Sequence, residues 1–387
     1  MRVETFTIAI PDAAIADLKE RLARTRWPDE LEGVGWDWGT DLGYMKDLIA
    51  YWRDGFDWRA QEARLNRLPQ FIAEIEGERI HFVHRRGTGK GRDREPLPLI
   101  LTHGWPGSFA EMGKIIPLLA DPGAHGGDPE DAFDLVVPSL PGYGFSGRPR
   151  RPGMNAFAIA GLWAGLMQGL GYERFAAQGG DWGASVTLCL GRLFAERLAG
   201  IHLNFIPSSF QPPSDAANPP SAEETAFVQR RAEWADREGG YAHIQGTKPQ
   251  TLGYALTDSP AGLAAWIVEK FRGWTDCAGD VERIVSRDAL LTNIAIYWFT
   301  GTIASSIRLY RETRLRPLRF QPSERVAVPT AIASFPFEIP MPPRSWVERV
   351  CDVRRWTEFP RGGHFAALEA PELLAEDVRA FFRPLRR

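Results

Sequence analysis

Between Pro11 and Trp27 the apolar residues Ile15, Leu18 and Leu22 recur at steps of three and four, which puts them on one face of a helix. Asp12 stands where an N-cap would, and Pro28 stops the pattern. A second helical pattern runs from Leu48 to Leu68. The stretch between them, LEGVGWDWGTDLG, has no period and predicts a meandering loop pinned by its tryptophans. No strand is expected before about residue 75.

The pattern then changes. ERIHFVHRR, PLILTH, FDLVVPSL, RFAAQG and LAGIHLNF each read as a strand, as do AVPTAIASF and RRWTEF further on, with room for a helix between most of them. Short apolar strands alternating with helices predict an α/β fold with a mostly parallel central sheet covered on both faces. The uncharged run Pro152 to Tyr172 is interrupted by Asn155, Gln168 and several glycines, so it predicts a loop and a buried helix rather than a membrane span. Between LAGIHLNF and AVPTAIASF lies a region of helical periodicity opened by the proline-rich PSSFQPPSDAANPPS. The expected organisation is a helical and loop segment over 1–75 packing on the core, a core over 76–206 and 325–387, and a helical lid over 207–324. Ligand chemistry in such a sheet sits at the carboxyl ends of its strands, where the insertion would cover it.

Composition narrows the function classes. The chain has 387 residues, enough for more than one domain, and 46 Lys+Arg against 49 Asp+Glu leave a net charge of −3, without the basic excess of a nucleic-acid-binding domain. Cys189, Cys277 and Cys351 are widely spaced and odd in number, which suggests neither a disulfide framework nor a zinc site and fits a reducing, cytoplasmic compartment. The N-terminus lacks the basic and apolar regions of a signal peptide. Fourteen tryptophans, including Trp27, Trp36, Trp38, Trp52 and Trp58, are expected in packing.

Chemistry concentrates at four places. RFAAQ runs into Gly179, Gly180, Asp181, Trp182 and Gly183 and then a helical stretch, the G-x-nucleophile-x-G arrangement of a nucleophile elbow with Asp181 as the nucleophile. Glycines two positions either side are needed because side chains there would clash in the tight strand-to-helix turn. Glu338 in FPFE and His364 in PRGGHFAALE follow later strands, giving the order nucleophile, acid, histidine of an α/β-hydrolase arrangement. HGWPGS, after PLILT, is placed to supply an oxyanion-hole N–H from Trp105, the other coming from Trp182 after the nucleophile. Taken singly, each feature has a plainer reading: Asp181 as a helix N-cap, Glu338 as a strand-end carboxylate, His364 as a loop residue and HGWPGS as a turn.

Aspartate as nucleophile constrains the reaction. With an ordinary pKa of about 3.9 it is ionised at neutral pH and needs no base for its attack. It can displace a leaving group at saturated carbon to form an ester, leaving His364 free to activate the water that hydrolyses it. Epoxides and alkyl halides are the candidate electrophiles.

HGWPGS, GGDWGAS, FPFE and RGGHFAALE together resemble the epoxide hydrolases, in the branch that includes the microsomal enzymes and the insect juvenile hormone epoxide hydrolases. The likeness extends over nearly the whole chain, and GGYAHIQGTKPQTLGYALTDSPAGLAAWIVEKF and TGTIASSIRLYRE resemble that branch's lid. The resemblance implies an α/β-hydrolase fold and two lid tyrosines that hold the epoxide oxygen, at Tyr241 and Tyr310. It implies a small apolar epoxide and water as the reacting partners and no cofactor. The microsomal relatives carry an N-terminal membrane anchor whose apolar run is missing here, so a soluble enzyme without a membrane anchor is expected. A homo-oligomer is compatible with the sequence.

Two other readings stay open at this point. A haloalkane dehalogenase shares the aspartate but uses indole or amide N–H groups for its halide, and a non-catalytic protein of the same fold would only bind a small apolar ligand. Gly142, Gly144 and Gly147 match G-x-G-x-x-G, yet no helix follows directly, so a dinucleotide site is not expected. His81 and His84 fall on opposite faces of their strand, which gives metal binding no support. Arg148, Arg150 and Arg151 read as a solvated loop.

Overall fold

The computed structural model describes residues 1–88, 95–214 and 219–386. Residues 215–218, the middle of the proline-rich stretch, lie outside the described residues. The chain opens with β1 (Val3–Phe6), α1 (Asp12–Ala23), α2 (Leu42–Asp54) and α3 (Trp58–Leu65), followed by β2 (Gln70–Ile75), β3 (Glu78–Arg85) and β4 (Leu97–Thr102). Next come α4 (Ile115–Ala120), β5 (Phe133–Pro138), α5 (Ala156–Gly169), β6 (Phe175–Gly179), α6 (Trp182–Leu193) and β7 (Leu198–Leu203). Between β7 and β8, in the region expected to form the lid, the described residues form the inserted helices α7 (Ala222–Glu238), α8 (Gly240–Thr247), α9 (Pro249–Asp258), α10 (Pro260–Trp274), α11 (Arg287–Thr300), α12 (Ile303–Ser306) and α13 (Arg308–Leu315). The chain closes with β8 (Val326–Ser334), α14 (Arg344–Glu348), β9 (Cys351–Glu358), α15 (Ala366–Glu369) and α16 (Pro371–Phe382).

All described strands join one sheet in the order β1-β2-β3-β5-β4-β6-β7-β8-β9. The first three pairings are antiparallel, and every pairing from β5 to β9 is parallel. The central parallel strands are almost wholly buried, as β5 (Phe133–Pro138) and β7 show along their entire lengths, because helices such as the packed pair α5 and α6 cover them, while the edge strand β9 is largely half-buried. Among the described residues no single helix is long and apolar enough to cross a membrane.

The N-terminal segment departs from the sequence expectation, because it supplies two strands. β1 is a short, mostly exposed edge, and β2 forms a hairpin with β3 through Glu76 and Gly77, both at positive φ (52° and 81°). Glutamate is an unusual occupant of that turn position, which hides the hairpin. The expected helix over Leu48–Leu68 is two helices. Gly55 ends α2 where a Cβ would meet the Tyr51 ring at 2.7 Å, and Asp57 caps α3 by accepting from the Ala60 N–H. Asp12 is not the N-cap of α1. It is the first helical residue, it pairs with Arg59, and α1 ends at Ala23, well before Pro28. Of the tryptophans expected to pin the loop, Trp36 packs against Tyr44 and under Arg272, but Trp38 is 76% exposed. Arg148, Arg150 and Arg151 are exposed, with Arg148 donating to the Thr300 carbonyl. His81 is a core residue, bonded to Ser139 and Gln70, while His84 bonds Tyr172.

This segment ties the inserted helices to the sheet. While β1 and β2 extend the sheet, Trp58 packs on Phe299 of α11 with ring centroids 4.8 Å apart, and Tyr51 donates to Asp288 at 2.7 Å. Thr40 donates to the Ala265 carbonyl of α10. Trp58→Ala removes a side chain that is 4% exposed, and the expected cost is about 3–5 kcal/mol. A thermal melt should show the midpoint falling, and an unchanged midpoint would mean that this contact does not hold the lid.

Candidate active site

β6 ends at Gly179 and α6 begins at Trp182, so Asp181 sits on the turn between them at φ 48°, ψ −122°. Only close backbone packing permits this. A Cβ on Gly183 would lie 1.9 Å from the Thr102 carbonyl oxygen, and one on Gly179 would lie 2.3 Å from the Gly183 carbonyl. The Asp181 side chain caps no helical N–H. Its Oδ1 instead accepts from the Trp105 amide at 2.7 Å. Trp182 opens α6, where backbone N–H groups have no intrahelical partner, so its amide is available beside the same carboxylate.

The HGWPGS loop that carries Trp105 is held from both sides. Leu140 N–H donates to His103 Nε2, which leaves His103 Nδ1 to donate to the Gly104 carbonyl. From the lid, Asn293 donates to the Pro106 carbonyl at 2.7 Å and Tyr297 to the Gly107 carbonyl at 2.6 Å. These two residues escaped the sequence reading. Their signal was present, since polar groups four apart share one face of a helix.

His364 follows β9, and its amide donates to the Trp274 carbonyl. Its Nδ1 lies 2.5 Å from Glu338 Oε1, and its Nε2 lies 3.4 Å from Asp181 Oδ2. Glu338 is fixed in turn by the Ile339 N–H at 2.7 Å. Burial alone would depress the His364 pKa, but Glu338 and Asp181 outweigh it and hold the pKa well above the usual imidazole value.

Tyr241 of α8 and Tyr310 of α13 approach from the lid. Tyr241 stacks on Trp105 with centroids 5.4 Å apart, Tyr310 meets Trp182 edge-on at 4.7 Å, and the two phenol rings are 5.8 Å apart. Burial, with the Asp181 charge, raises both phenol pKa values well above their usual range. Lys270, buried on α10 and paired with Glu269, stands 4.5 Å above the Tyr241 ring and was not foreseen. The indole N–H groups of Trp105 and Trp182 are buried without a protein partner. All seven residues singled out in the sequence thus come together. A cavity of about 710 Å³ leads to Asp181 between Trp182, Phe205, Ile206, Tyr241 and Tyr310. Among the described residues no group of three or more His, Cys, Asp or Glu side chains could hold a metal ion.

Residues 3–112 match the family described as epoxide hydrolase N terminus, and residues 98–242 match the alpha/beta hydrolase fold family. A putative epoxide hydrolase of Stigmatella aurantiaca is 46% identical over 99% of this chain and 86% of its own length. Epoxide hydrolase 1 of Oryctolagus cuniculus is 41% identical over 98% and 88%. The chain belongs to the epoxide hydrolase family. Among solved structures, Aspergillus niger epoxide hydrolase superposes with a TM-score of 0.85 at 33% identity, covering 100% of this chain and 97% of that one. The juvenile hormone epoxide hydrolase of Bombyx mori gives 0.84 at 32%, covering 100% and 94%. The protein is an α/β-hydrolase-fold enzyme that hydrolyses epoxides.

The elevated phenol pKa values have a direct consequence for this epoxide hydrolase. Tyr241 and Tyr310 should remain protonated at pH 10.5, where exposed phenols ionise. Wild-type enzyme and the Tyr241→Phe variant should therefore show the same phenolate absorbance at that pH. A lower absorbance in the variant would place the Tyr241 pKa near the ordinary value.

Proposed function

We propose that the enzyme converts an apolar epoxide to a vicinal diol through a covalent ester on Asp181. The observation that carries this reading is the Asp181 carboxylate itself. Its Oδ1 is engaged by the Trp105 N–H at 2.7 Å, and Oδ2 faces His364 Nε2 at 3.4 Å. Oδ2 attacks an epoxide carbon, and the C–O bond of the ring breaks. Tyr241 and Tyr310 hydrogen-bond the departing oxygen, and one of them gives it a proton. A phenol with a raised pKa keeps that proton until the ring oxygen becomes strongly basic.

Ester formation removes the Asp181 charge. Two of the interactions that raise the His364 pKa disappear with it, so the imidazolium gives up its proton, which restores the phenol that served as the acid, and becomes a base. His364, oriented by Glu338, then activates water for attack on the ester carbonyl. The oxyanion that forms is held by the Trp105 and Trp182 amides, and collapse releases the diol. Phe205, Ile206, Phe227, Trp234 and Ile339 along the cavity favour an apolar substrate, with Arg231, Arg314 and Arg319 also in its lining. The cytoplasm is the compartment proposed, supported by three cysteines that are free and buried.

The buried indole N–H groups of Trp105 and Trp182 are the one observation that favours dehalogenation. Assays for halide release from an alkyl halide and for diol from styrene oxide separate the readings; diol without halide is expected.

His364→Gln should form the ester and fail to hydrolyse it, so intact mass after styrene oxide should show protein plus one epoxide. Asp181→Asn should show neither adduct nor diol. Phenylalanine at Tyr241 or Tyr310 should slow ester formation by about 10²–10⁴-fold, the usual contribution of a positioned general acid. No adduct in the His364 variant would overturn the ester route.

A further inference from the structure

The cavity that leads to Asp181 has apolar walls, yet its charges are of one sign. Among the described residues Asp181 is the one acidic residue in its lining, whereas Arg231, Arg314 and Arg319 all line it. Arg314 follows Tyr310 by four residues on α13, which puts it on the same helix face about 6 Å further along the axis. Arg231 stands four residues beyond Phe227 on α7, with its guanidinium carbon 5.2 Å from the centroid of that ring. Arg319 lies in the stretch after α13, where its backbone pairs with Gln211. Arg314 and Arg319 are exposed and Arg231 is half-buried, so the three mark the end of the cavity that meets solvent.

Among the described residues none of these arginines forms an ion pair, and the hydrogen bond of the Arg231 guanidinium goes to the Ser208 carbonyl at 3.2 Å. Of the carboxylates close to them in the chain, Glu233 accepts from Gln229, Glu312 accepts from the Gly153 N–H, and Glu324 pairs with Arg192. Burial lowers the Arg231 pKa and no carboxylate offsets it, although a guanidinium stays charged in proteins. A charge drawn partly out of water without an opposite charge is unfavourable, and a planar guanidinium meets a carboxylate with paired N–H donors. The net charge of −3 repels anions at long range, so any attraction for one at this cavity is local. None of the steps above uses the three arginines.

We propose that the substrate is an epoxide whose apolar body ends in a carboxylate, and that Arg231, with Arg314 and Arg319, holds this carboxylate at the solvent-facing end of the cavity while the ring reaches Asp181. The inference rests on the reading of the cavity as the path of an apolar epoxide, and it narrows that substrate to an amphipathic one. The guanidinium N–H groups donate and the carboxylate oxygens accept, while the aromatic and aliphatic walls take the body between the two ends. Arg231 contributes most, because water and salt screen a half-buried charge least. The contact lies away from the reacting carbon and is the same in ground and transition states, so it lowers KM and leaves kcat nearly unchanged.

Steady-state diol formation from terminal epoxides of straight-chain carboxylates, from epoxyhexanoate to epoxyundecanoate, is compared with that from their methyl esters. With wild-type enzyme the acid should exceed its ester in kcat/KM by about tenfold, the effect of a charge-assisted hydrogen bond, and mainly through KM, once the chain is long enough to reach the arginines. Equal values at every length, or a preference for the ester, would overturn the inference, and this comparison needs no variant. Arg231→Gln and Arg314→Gln should each reduce the acid-to-ester ratio, by about fivefold or more for Arg231, and Arg231→Lys should keep most of it. A merely structural role would lower both substrates in parallel, and an unchanged ratio in both glutamine variants would contradict the assignment. If styrene oxide is hydrolysed and the acids are not preferred, the inference alone has failed. If styrene oxide, acids and esters all give no diol, the function proposed above has failed and the inference with it.

Discussion

The backbone at Asp181 is held at φ 48°, ψ −122°, a conformation that costs a side-chain-bearing residue roughly 1–3 kcal/mol and persists only where the surroundings enforce it. The enforcement comes from Gly179 and Gly183, which let β6, α6 and the end of β4 approach within distances no Cβ would allow. Gly104 extends the same constraint, since a Cβ there would lie 2.2 Å from Asp181 Oδ1. The turn that strains the backbone therefore also presses the carboxylate against the Trp105 amide. Asn293 and Tyr297 fix the loop bearing that amide, and the N-terminal segment fixes their helix, so the geometry at the nucleophile reaches out to the first strands of the sheet.

Charge explains the order of events that the geometry permits. In the resting site Asp181 supports a protonated His364 and raises the pKa of both lid phenols. On the proposed ester route, alkylation would neutralise the carboxylate and shift these groups together, so that the histidine becomes a base only after the phenols have served as acids.

The parallel strands were legible because burial on both faces makes them short continuous apolar runs, as in FDLVVP. The elbow was legible because its geometry demands glycine at fixed positions around Asp181, and the histidine and acid because each follows a strand. β1 left no trace, as a four-residue exposed edge has no apolar pattern to detect. β2 was hidden by the Glu76 turn and by Gln70, whose burial is satisfied through His81 and the Leu65 carbonyl, partners visible only in three dimensions. Lys270 was missed for a related reason. It is a charged residue type whose usual place is the surface, and only the tertiary structure buries it beside Tyr241.

The account turns on Asp181 being a nucleophile rather than a base, and oxygen transfer tests that most directly. One turnover of an aryl epoxide in water enriched with heavy oxygen, with enzyme in excess, should give unlabelled diol oxygen from the enzyme and place the label in the peptide containing Asp181. Solvent label in the first-turnover diol, with none in Asp181, would mean that water attacks the epoxide directly, and the ester account would be wrong.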